Sequence, residues 1–301
     1  MSGRPLHPAA EAVLGTGPAW TPAELVAAMA GQTEGVTSGL AARFPSWHIE
    51  ASASVDAGVL LAAAQRESEH LGGYYVRCEH LLLGMLRVLG ADDALESARA
   101  DYQRLKGEKA FGEYLNLRPP PRPDGASRPC AVVVTGVPGT GKSTLAEALA
   151  TELRAPVFSM DWELGALVPF GALRKDNVEP LAELVVAAAM ARQLQLGLDV
   201  IVDVAGIREE ERQRLRQIAE VLGAAFVGVE CQCSDDEAQR ARVEGRSRGI
   251  PGWPATVSWE HVQRMRGRWE PWQEPHLVID TAVETPGMVL RRVLDAVHAE
   301  R

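Results

Sequence analysis

One stretch of nine residues carries the residue types and the spacing that phosphate chemistry needs. Gly136-Val137-Pro138-Gly139-Thr140-Gly141-Lys142-Ser143-Thr144 fits the pattern G-x-x-x-x-G-K-[ST]. Its glycines allow backbone amides to curl around a phosphate, and the start of a helix adds a partial positive charge. We therefore predict that these nine residues bind the phosphates of a nucleoside triphosphate, with ATP as the expected nucleotide.

Two side chains of this loop have expected roles in chemistry. Lys142 would reach the β- and γ-phosphates, and the Ser143 hydroxyl would ligate Mg²⁺. An apolar run at 131–135 enters the loop and is typical of a buried parallel strand, and apolar residues leave it at helical spacing as far as Leu153. A glycine-rich turn without a ligand is the alternative, which this strand–turn–helix context disfavours.

Two aspartates fall where predicted strands end. Asp203 follows the apolar residues Val200, Ile201 and Val202, and we expect it to hold Mg²⁺ together with Ser143. Asp161 follows a short predicted strand and could accept the proton of an attacking hydroxyl as a general base. A turn or helix-capping aspartate is the alternative at both positions.

Arginines and tryptophans follow the fourth predicted strand of this region. Arg242 and Arg246 lie four residues apart and so share a helix face. They could close over the phosphates and stabilise charge during transfer, although a solvated basic face is the usual explanation of such a run. Four tryptophans between residues 250 and 272 could stack on a planar ring, but packing of a loop-rich subdomain is the favoured interpretation.

Composition narrows the class of protein. The 301 residues are 46% hydrophobic and 24% charged, which is typical of a globular chain long enough for two domains. A net charge of −9 argues against broad binding to nucleic acid. Four scattered cysteines do not form a disulfide framework. We find no apolar stretch of membrane-spanning length and no signal-type apolar core, so we expect a cytoplasmic protein.

The pattern of elements predicts four segments. Residues 1–20 are expected to form a flexible arm and 21–117 a small all-α domain, because the apolar spacing there is helical. The proline-rich residues 118–129 are the expected linker. From 130 to 301, strands and helices alternate. Such alternation predicts an α/β domain with a parallel sheet covered by helices on both faces.

The C-terminal segment resembles a family of enzymes. The phosphate-binding loop, Asp161, the VIVD run ending at Asp203, the arginine-rich segment and the VIDT run at 278–281 resemble those of small P-loop kinases and phosphotransferases. That family includes zeta toxins, chloramphenicol phosphotransferase and the kinase domain of polynucleotide kinase. The resemblance covers about residues 130–299. It implies a P-loop kinase-like fold, Asp161 as general base, Arg242 and Arg246 as lid arginines, and a hydroxyl compound as phosphate acceptor.

The helical segment resembles the N-terminal domain of Clp-type chaperones. The likeness rests on Gly73-Tyr74-Tyr75-Val76 and Glu79-His80-Leu81-Leu82-Leu83 and covers one of that family's two repeats. In that family the domain docks adaptors or substrates, so the resemblance implies a possible protein partner. His80 is expected to be a packed or capping residue without a chemical role.

Three hypotheses about function follow. The first is an ATP-dependent kinase that phosphorylates a hydroxyl of a small molecule such as an antibiotic, a sugar or a nucleotide. The second is a polynucleotide kinase, which the acidic net charge disfavours. The third is an ATP-binding regulatory module whose helical domain recruits a protein partner. No motif in the sequence identifies the acceptor or distinguishes ATP from GTP.

Overall fold

A computed structural model describes residues 4–30, 36–47, 49, 53–123, 125–245, 247, 249–253 and 256–301. The chain divides into two compact units. The first comprises Met1–Lys109 and Lys175–Pro180, and the second comprises Ala110–Arg174 and Leu181–Arg301.

The first unit is largely helical, as the apolar spacing predicts. Its elements are α1 (Pro8–Leu14), β1 (Ala19–Trp20), α2 (Pro22–Ala30), α3 (Val36–Arg43), a 3-10 turn (Phe44–Trp47), β2 (Val55–Asp56), α4 (Ala57–His70), α5 (Cys78–Val88) and most of α6 (Asp92–Leu115). The short strands β1 and β2 pair antiparallel, which the sequence pattern does not indicate.

Residues 4–20 do not form the loose arm expected from their composition. Helix α1 lies among them, and Ala10, Val13 and Trp20 are buried in the core of the first unit. Burial of these three side chains removes apolar surface from water and fixes the segment. Thr21 caps α2, because the Glu24 amide donates to its hydroxyl and the Thr21 amide donates to the Glu24 carboxylate.

The second unit is built on a parallel sheet. Its elements are β3 (Cys130–Thr135), α7 (Lys142–Leu153), β4 (Val157–Ser159), α8 (Met160–Gly165), a 3-10 turn (Val168–Phe170), most of α9 (Val178–Gln195), β5 (Val200–Asp203), α10 (Glu209–Val221), β6 (Ala225–Gln232), α11 (Asp236–Glu244), α12 (Trp259–Gly267), β7 (Leu277–Asp280) and α13 (Pro286–Glu300). The strand order is β4-β5-β3-β6-β7, with every pair parallel. The carboxyl ends of β5, β3 and β6 therefore meet at one edge.

Helices cover both faces of this sheet. Alternate residues of β3 point to opposite faces, because side chains alternate along a strand. Val133 packs in the core that α9 and α10 cover, and Val132 packs in the core that α7 and α13 cover. The α/β fold with helices on both faces is thus confirmed.

The proline-rich segment 118–129 lies within the second unit, and the division between units falls earlier, at Lys109 and Ala110. Arg122 donates to the carbonyls of Leu222 and Gly223, at distances of 2.9 and 2.8 Å. These bonds satisfy carbonyls at the end of α10, which accounts for an ordered path where composition predicts a linker. Across the described residues, no helix has the length and apolar character needed to cross a membrane.

Candidate active site at the carboxyl edge of the sheet

The phosphate-binding loop Gly136–Thr144 begins where β3 ends. Gly136 and Gly139 have φ angles of 139° and 84°. A Cβ atom at Gly136 would lie 2.4 Å from the Cys231 carbonyl oxygen, and one at Gly139 would lie 2.6 Å from Val243. Only glycine meets both demands, because other residues avoid these φ angles and would clash.

Two hydrogen bonds fix the shape of the phosphate-binding loop, one within the loop and one from a residue of α11. The buried Thr140 hydroxyl donates to the Val137 carbonyl at 2.8 Å, and the fully buried Gln239 amide donates to the Pro138 carbonyl at 2.7 Å. With these carbonyls satisfied, the loop has a defined shape. Gly141 caps α7 without a side-chain hydrogen bond to its first amides. Those amides and the helix dipole are therefore available to an anion.

A cleft of about 820 Å³, the loop cleft, opens over the phosphate-binding loop. Five of the residues singled out in the sequence line it together: Lys142, Ser143, Asp161, Asp203 and Arg242. The structure thus brings the predicted phosphate, metal, base and lid residues to one cavity. Its size is within the range of small-molecule sites in proteins.

Asp203 ends β5 beside the loop strand and is only 4% exposed. Its Oδ2 atom accepts a long hydrogen bond of 3.4 Å from the Ser159 hydroxyl, while its buried Oδ1 atom has no partner among the described residues. A buried carboxylate oxygen without a partner is costly, and oxygen ligands are what Mg²⁺ prefers. Asp203 and the Ser143 hydroxyl, which lines the same cleft, therefore fit a magnesium ion.

The described residues contain no cluster of three or more His, Cys, Asp or Glu side chains that could hold a metal by themselves. This finding is compatible with magnesium, because P-loop proteins hold the ion with one hydroxyl, one carboxylate and the phosphates of the nucleotide. Cys231 and Cys233 are buried free thiols, and burial raises the pKa of Cys231 to about 12. Cys231 lies in β6, and Cys233 follows directly after the end of that strand.

Asp161 is not the last residue of a strand, which corrects the sequence prediction in detail. Strand β4 ends at Ser159, and Asp161 lies in the first turn of the short helix α8. A carboxylate is favoured there by the helix dipole. The side chain lines the loop cleft together with Lys142 and Asp203, although it comes from a helix.

Arg242 lies on α11 and lines the loop cleft, but its guanidinium is hydrogen-bonded to the loop after β7. It donates to the Thr281 hydroxyl at 2.9 Å and to the Thr281 carbonyl at 3.1 Å. It also approaches the Gly139 carbonyl of the phosphate-binding loop, at a distance of 3.5 Å. Arg246, the second predicted lid arginine, lies outside the described residues.

A second cavity of about 390 Å³, the side cavity, adjoins the loop cleft. The two cavities share Pro138, Lys142, Asp161, Asp203 and Val257. The other wall of the side cavity comes from α12 and the residues before it, which include Trp253, Ser258, His261, Arg264 and Met265. Sequence analysis did not identify His261 or Arg264. Their spacing of three residues on a helix that follows α11 is the signal that could have found them.

Three of the four tryptophans between residues 250 and 272 pack against protein groups, which is the interpretation that the sequence favoured. Trp269 and Trp272 lie over the guanidinium of the buried Arg212, with ring centres 5.2 and 4.9 Å from it. Trp259 packs against a small core formed by Val137, Val243 and Val262. Trp253 is the exception, since it lines the side cavity.

Comparison with known proteins bears on this unit alone. A family model described as an AAA domain matches residues 132–272, which are just under half of the chain and contain the loop, Asp161, Asp203 and Arg242. No curated protein sequence matches the chain.

Several solved structures are similar to this region. A candidate kinase from Chloroflexus aurantiacus is 23% identical over 59% of this chain and 100% of its own, with a TM-score of 0.48. Chaetomium thermophilum Kti12, solved with ADP-AlF3, is 19% identical over 56% of this chain and 98% of its own, with a TM-score of 0.46. A gluconokinase from Sinorhizobium meliloti 1021 is 21% identical over 58% of this chain and 94% of its own, with a TM-score of 0.42. The region 132–272, which contains the phosphate-binding loop and the carboxyl edge of the sheet, is similar to the AAA-domain model.

Proposed function

We propose that the second unit is an ATP-dependent kinase that transfers the γ-phosphate to a hydroxyl of a small molecule. The observation that carries this proposal is the junction of the two cavities. The loop cleft supplies a phosphate site, the side cavity supplies room for a second compound, and Lys142, Asp161 and Asp203 line both. A hydrolase would need no second cavity that opens on the same three side chains.

The proposed reaction is an in-line transfer. The acceptor oxygen attacks the γ-phosphorus, and the bond from that phosphorus to the bridging oxygen breaks, so that ADP leaves with the electron pair. Asp161 takes the proton of the acceptor hydroxyl. Lys142 and the amides at the start of α7 hold the phosphates, and Mg²⁺, when held by Ser143 and Asp203, neutralises their charge.

Arg242 and Arg246 are proposed to act as lid arginines, in keeping with the resemblance to P-loop kinases. Arg242 would exchange its bonds to Thr281 for bonds to the nucleotide. A guanidinium suits this role because it stays charged and offers several donors in a fixed geometry.

The site assignment is tested by Lys142→Ala. The lysine is partly exposed on the cleft wall and outside the apolar cores, so the variant should unfold at nearly the parent temperature. Its turnover of ATP should be lost, because the lysine's contact with the phosphates is missing. Unchanged turnover in a folded variant would reject the site. A protein that hydrolyses ATP only when a protein partner is added, and phosphorylates no compound, would favour the regulatory hypothesis.

For the first unit we propose a protein-recruiting role, which the resemblance to Clp-type N-terminal domains supports. Of the residues behind that resemblance, Glu79 and His80 are buried in α5, whereas Tyr74 and Tyr75 are 86% and 47% exposed. A partner would therefore meet the tyrosines. Replacing both with serine should weaken binding of an identified partner and leave ATP binding unchanged; equal partner binding would reject this role. A cytoplasmic location is retained as a proposal from composition.

A further inference from the structure

The wall of the side cavity formed by α12 carries the guanidinium of Arg264, and its positive charge indicates the kind of acceptor. This inference rests on the proposed kinase function. His261 and Arg264 line the cavity from α12, and they lie three residues apart, so they share one face of that helix. Val262 is fully buried and packs in the small core that Trp259 contacts, and Arg266 lies four residues further on.

Helix α12 is a firm support for these side chains. Arg266 donates to Asp236 at 2.6 Å and to the Gln239 side chain, both on α11. Gln239 in turn holds the Pro138 carbonyl of the phosphate-binding loop. The Ser258 hydroxyl caps α12 by accepting from the His261 amide at 3.2 Å. The face with Arg264 is therefore fixed relative to the loop, which lowers the ordering cost of binding a ligand.

Arg264 differs from the other arginines of this region in its bonding. Arg212, Arg242 and Arg266 donate hydrogen bonds to protein groups. Arg264 makes no hydrogen bond or close ion pair within the described part of the chain, and only Glu260 on its own helix interacts with it electrostatically. A guanidinium that lines a cavity and has no protein acceptor is well suited to a ligand carboxylate or phosphate, which it can bind through two parallel hydrogen bonds.

The two carboxylates of the side cavity come from elements other than α12, namely α8 and the end of β5. Asp161 and Asp203 belong to the part shared with the loop cleft, where they would repel an anionic group and favour a hydroxyl. Lys142 lies in the same shared part, but in the proposed reaction its charge is engaged by the phosphates of the nucleotide. An acceptor with a hydroxyl at one end and an anionic group at the other would therefore be oriented with the anionic group towards Arg264. Trp253 and Met265 give the cavity apolar surface for the carbon skeleton between these groups.

We propose that the acceptor is a compact hydroxyl compound that also carries a carboxylate or phosphate group, and that Arg264, with His261 beside it, binds that group. The cavity volume of about 390 Å³ suits a molecule of this size. During transfer, the acceptor oxygen forms a bond to the γ-phosphorus as the bond to the bridging oxygen of ATP breaks. The anionic group of the acceptor stays bound to Arg264 throughout.

A binding experiment tests the anion site without knowledge of the acceptor. The full chain is saturated with Mg²⁺ and the non-hydrolysable analogue AMPPNP, which fills the phosphate-binding loop, and is then titrated calorimetrically with inorganic phosphate. We expect saturable binding that Arg264→Gln weakens by about 10- to 100-fold, the usual effect of losing a charge-assisted hydrogen bond. Arg291→Gln, which removes an exposed arginine of α13 that lines neither cavity, is the matched control and should bind as the parent does.

Absence of saturable phosphate binding in the parent, or equal binding in the Arg264 variant, would overturn the acceptor assignment. Failure of AMPPNP itself to bind would instead contradict the proposed kinase function, so the two failures are distinguishable.

Transfer assays with matched acceptors separate the two anionic groups. Gluconate with sorbitol and pantothenate with panthenol test a carboxylate, and glucose 6-phosphate with glucose tests a phosphate. The charged member of a pair should have a KM at least about tenfold lower, and Arg264→Gln should remove that difference while changing kcat little. Preferential phosphorylation of the neutral members would overturn the proposal and leave the kinase function standing.

Discussion

Replacing Asp203 with asparagine should make the protein more stable and its nucleotide binding less dependent on magnesium. Asp203 is 4% exposed, one of its oxygens has no partner, and it forms no ion pair among the described residues. Asparagine keeps the shape and removes the buried charge. Burying an unpaired charge costs more than burying a neutral amide of the same shape, so we expect the free energy of unfolding to rise by about 1 kcal/mol.

The same change should weaken magnesium-dependent binding. Two unit charges about 4 Å apart in an effective dielectric of 20 interact by about 4 kcal/mol. The loss on removing the carboxylate is smaller than this, because water and the phosphates also stabilise the ion. We therefore expect ATP affinity in the presence of Mg²⁺ to fall by roughly 10- to 100-fold, as for other lost metal contacts. ATP affinity in EDTA should instead rise, because the carboxylate of Asp203 no longer repels the phosphates when no metal ion lies between them.

The assay combines thermal unfolding without ligand and calorimetric titration with ATP, each with Mg²⁺ and with EDTA. A gain of 1 kcal/mol should raise the Tm by about 2–4 °C in a unit of this size.

Asp280→Asn is the matched control, because Asp280 also ends a strand, β7, but its carboxylate has hydrogen-bond partners. Hydrogen bonds from Ser234 and from the Ala282 amide lower the pKa of its carboxyl, so its charged form is favoured on folding. That variant should lose stability and keep its Mg²⁺ dependence. If ATP binding to the Asp203→Asn variant depended on Mg²⁺ as strongly as binding to the parent does, the assignment of Asp203 as a magnesium-holding residue would be refuted.

Three further predictions concern the base, the unit boundary and a buried histidine. Asp161→Asn should bind Mg²⁺ and ATP nearly as the parent does but lower the transfer rate by about 10²- to 10⁴-fold; a small loss in stopped-flow transfer assays would reject the base role. A fragment 110–301 should be more stable to urea than 128–301, by about 3 kcal/mol, because only the longer one keeps Phe111, which is buried in the sheet core; equal midpoints would contradict this. Burial lowers the pKa of His80 from 6.5 to about 4, so the unfolded chain binds the proton first. The free energy of unfolding should therefore be highest above pH 6.5. It should decrease by up to about 3 kcal/mol as the pH falls towards 4. His80→Asn, which retains an acceptor for the Arg77 amide, should remove this part of the pH dependence in urea unfolding.

The sequence predicted most of the sheet because its signals are local. The phosphate-binding loop is continuous in the chain, and its strand is an unbroken apolar run. Asp203 was found because it follows such a run, and parallel strands bring their carboxyl ends to one edge. His80 was rightly expected to be a packed capping residue: it is 1% exposed, and its Nδ1 atom accepts from the Arg77 amide.

What the sequence did not predict depends on contacts between distant residues. Gln239 holds the loop across 101 positions of sequence, and no spacing rule connects it to Pro138. The start of α8 at Met160 was taken for strand, because the three-residue strand β4 is only partly buried and gives a weak apolar signal. The segment around Arg122 was taken for a linker, because prolines predict extended chain but do not reveal its hydrogen bonds to the end of α10.

The most direct test of the central claim is the fate of the γ-phosphate. The full chain with Mg²⁺, ATP and a panel of hydroxyl compounds is followed by ³¹P nuclear magnetic resonance, with the Lys142→Ala variant as control. We predict a new phosphate-ester signal that grows in step with ADP and is absent from the variant. ADP accompanied only by inorganic phosphate, whichever acceptor is present, would contradict the account.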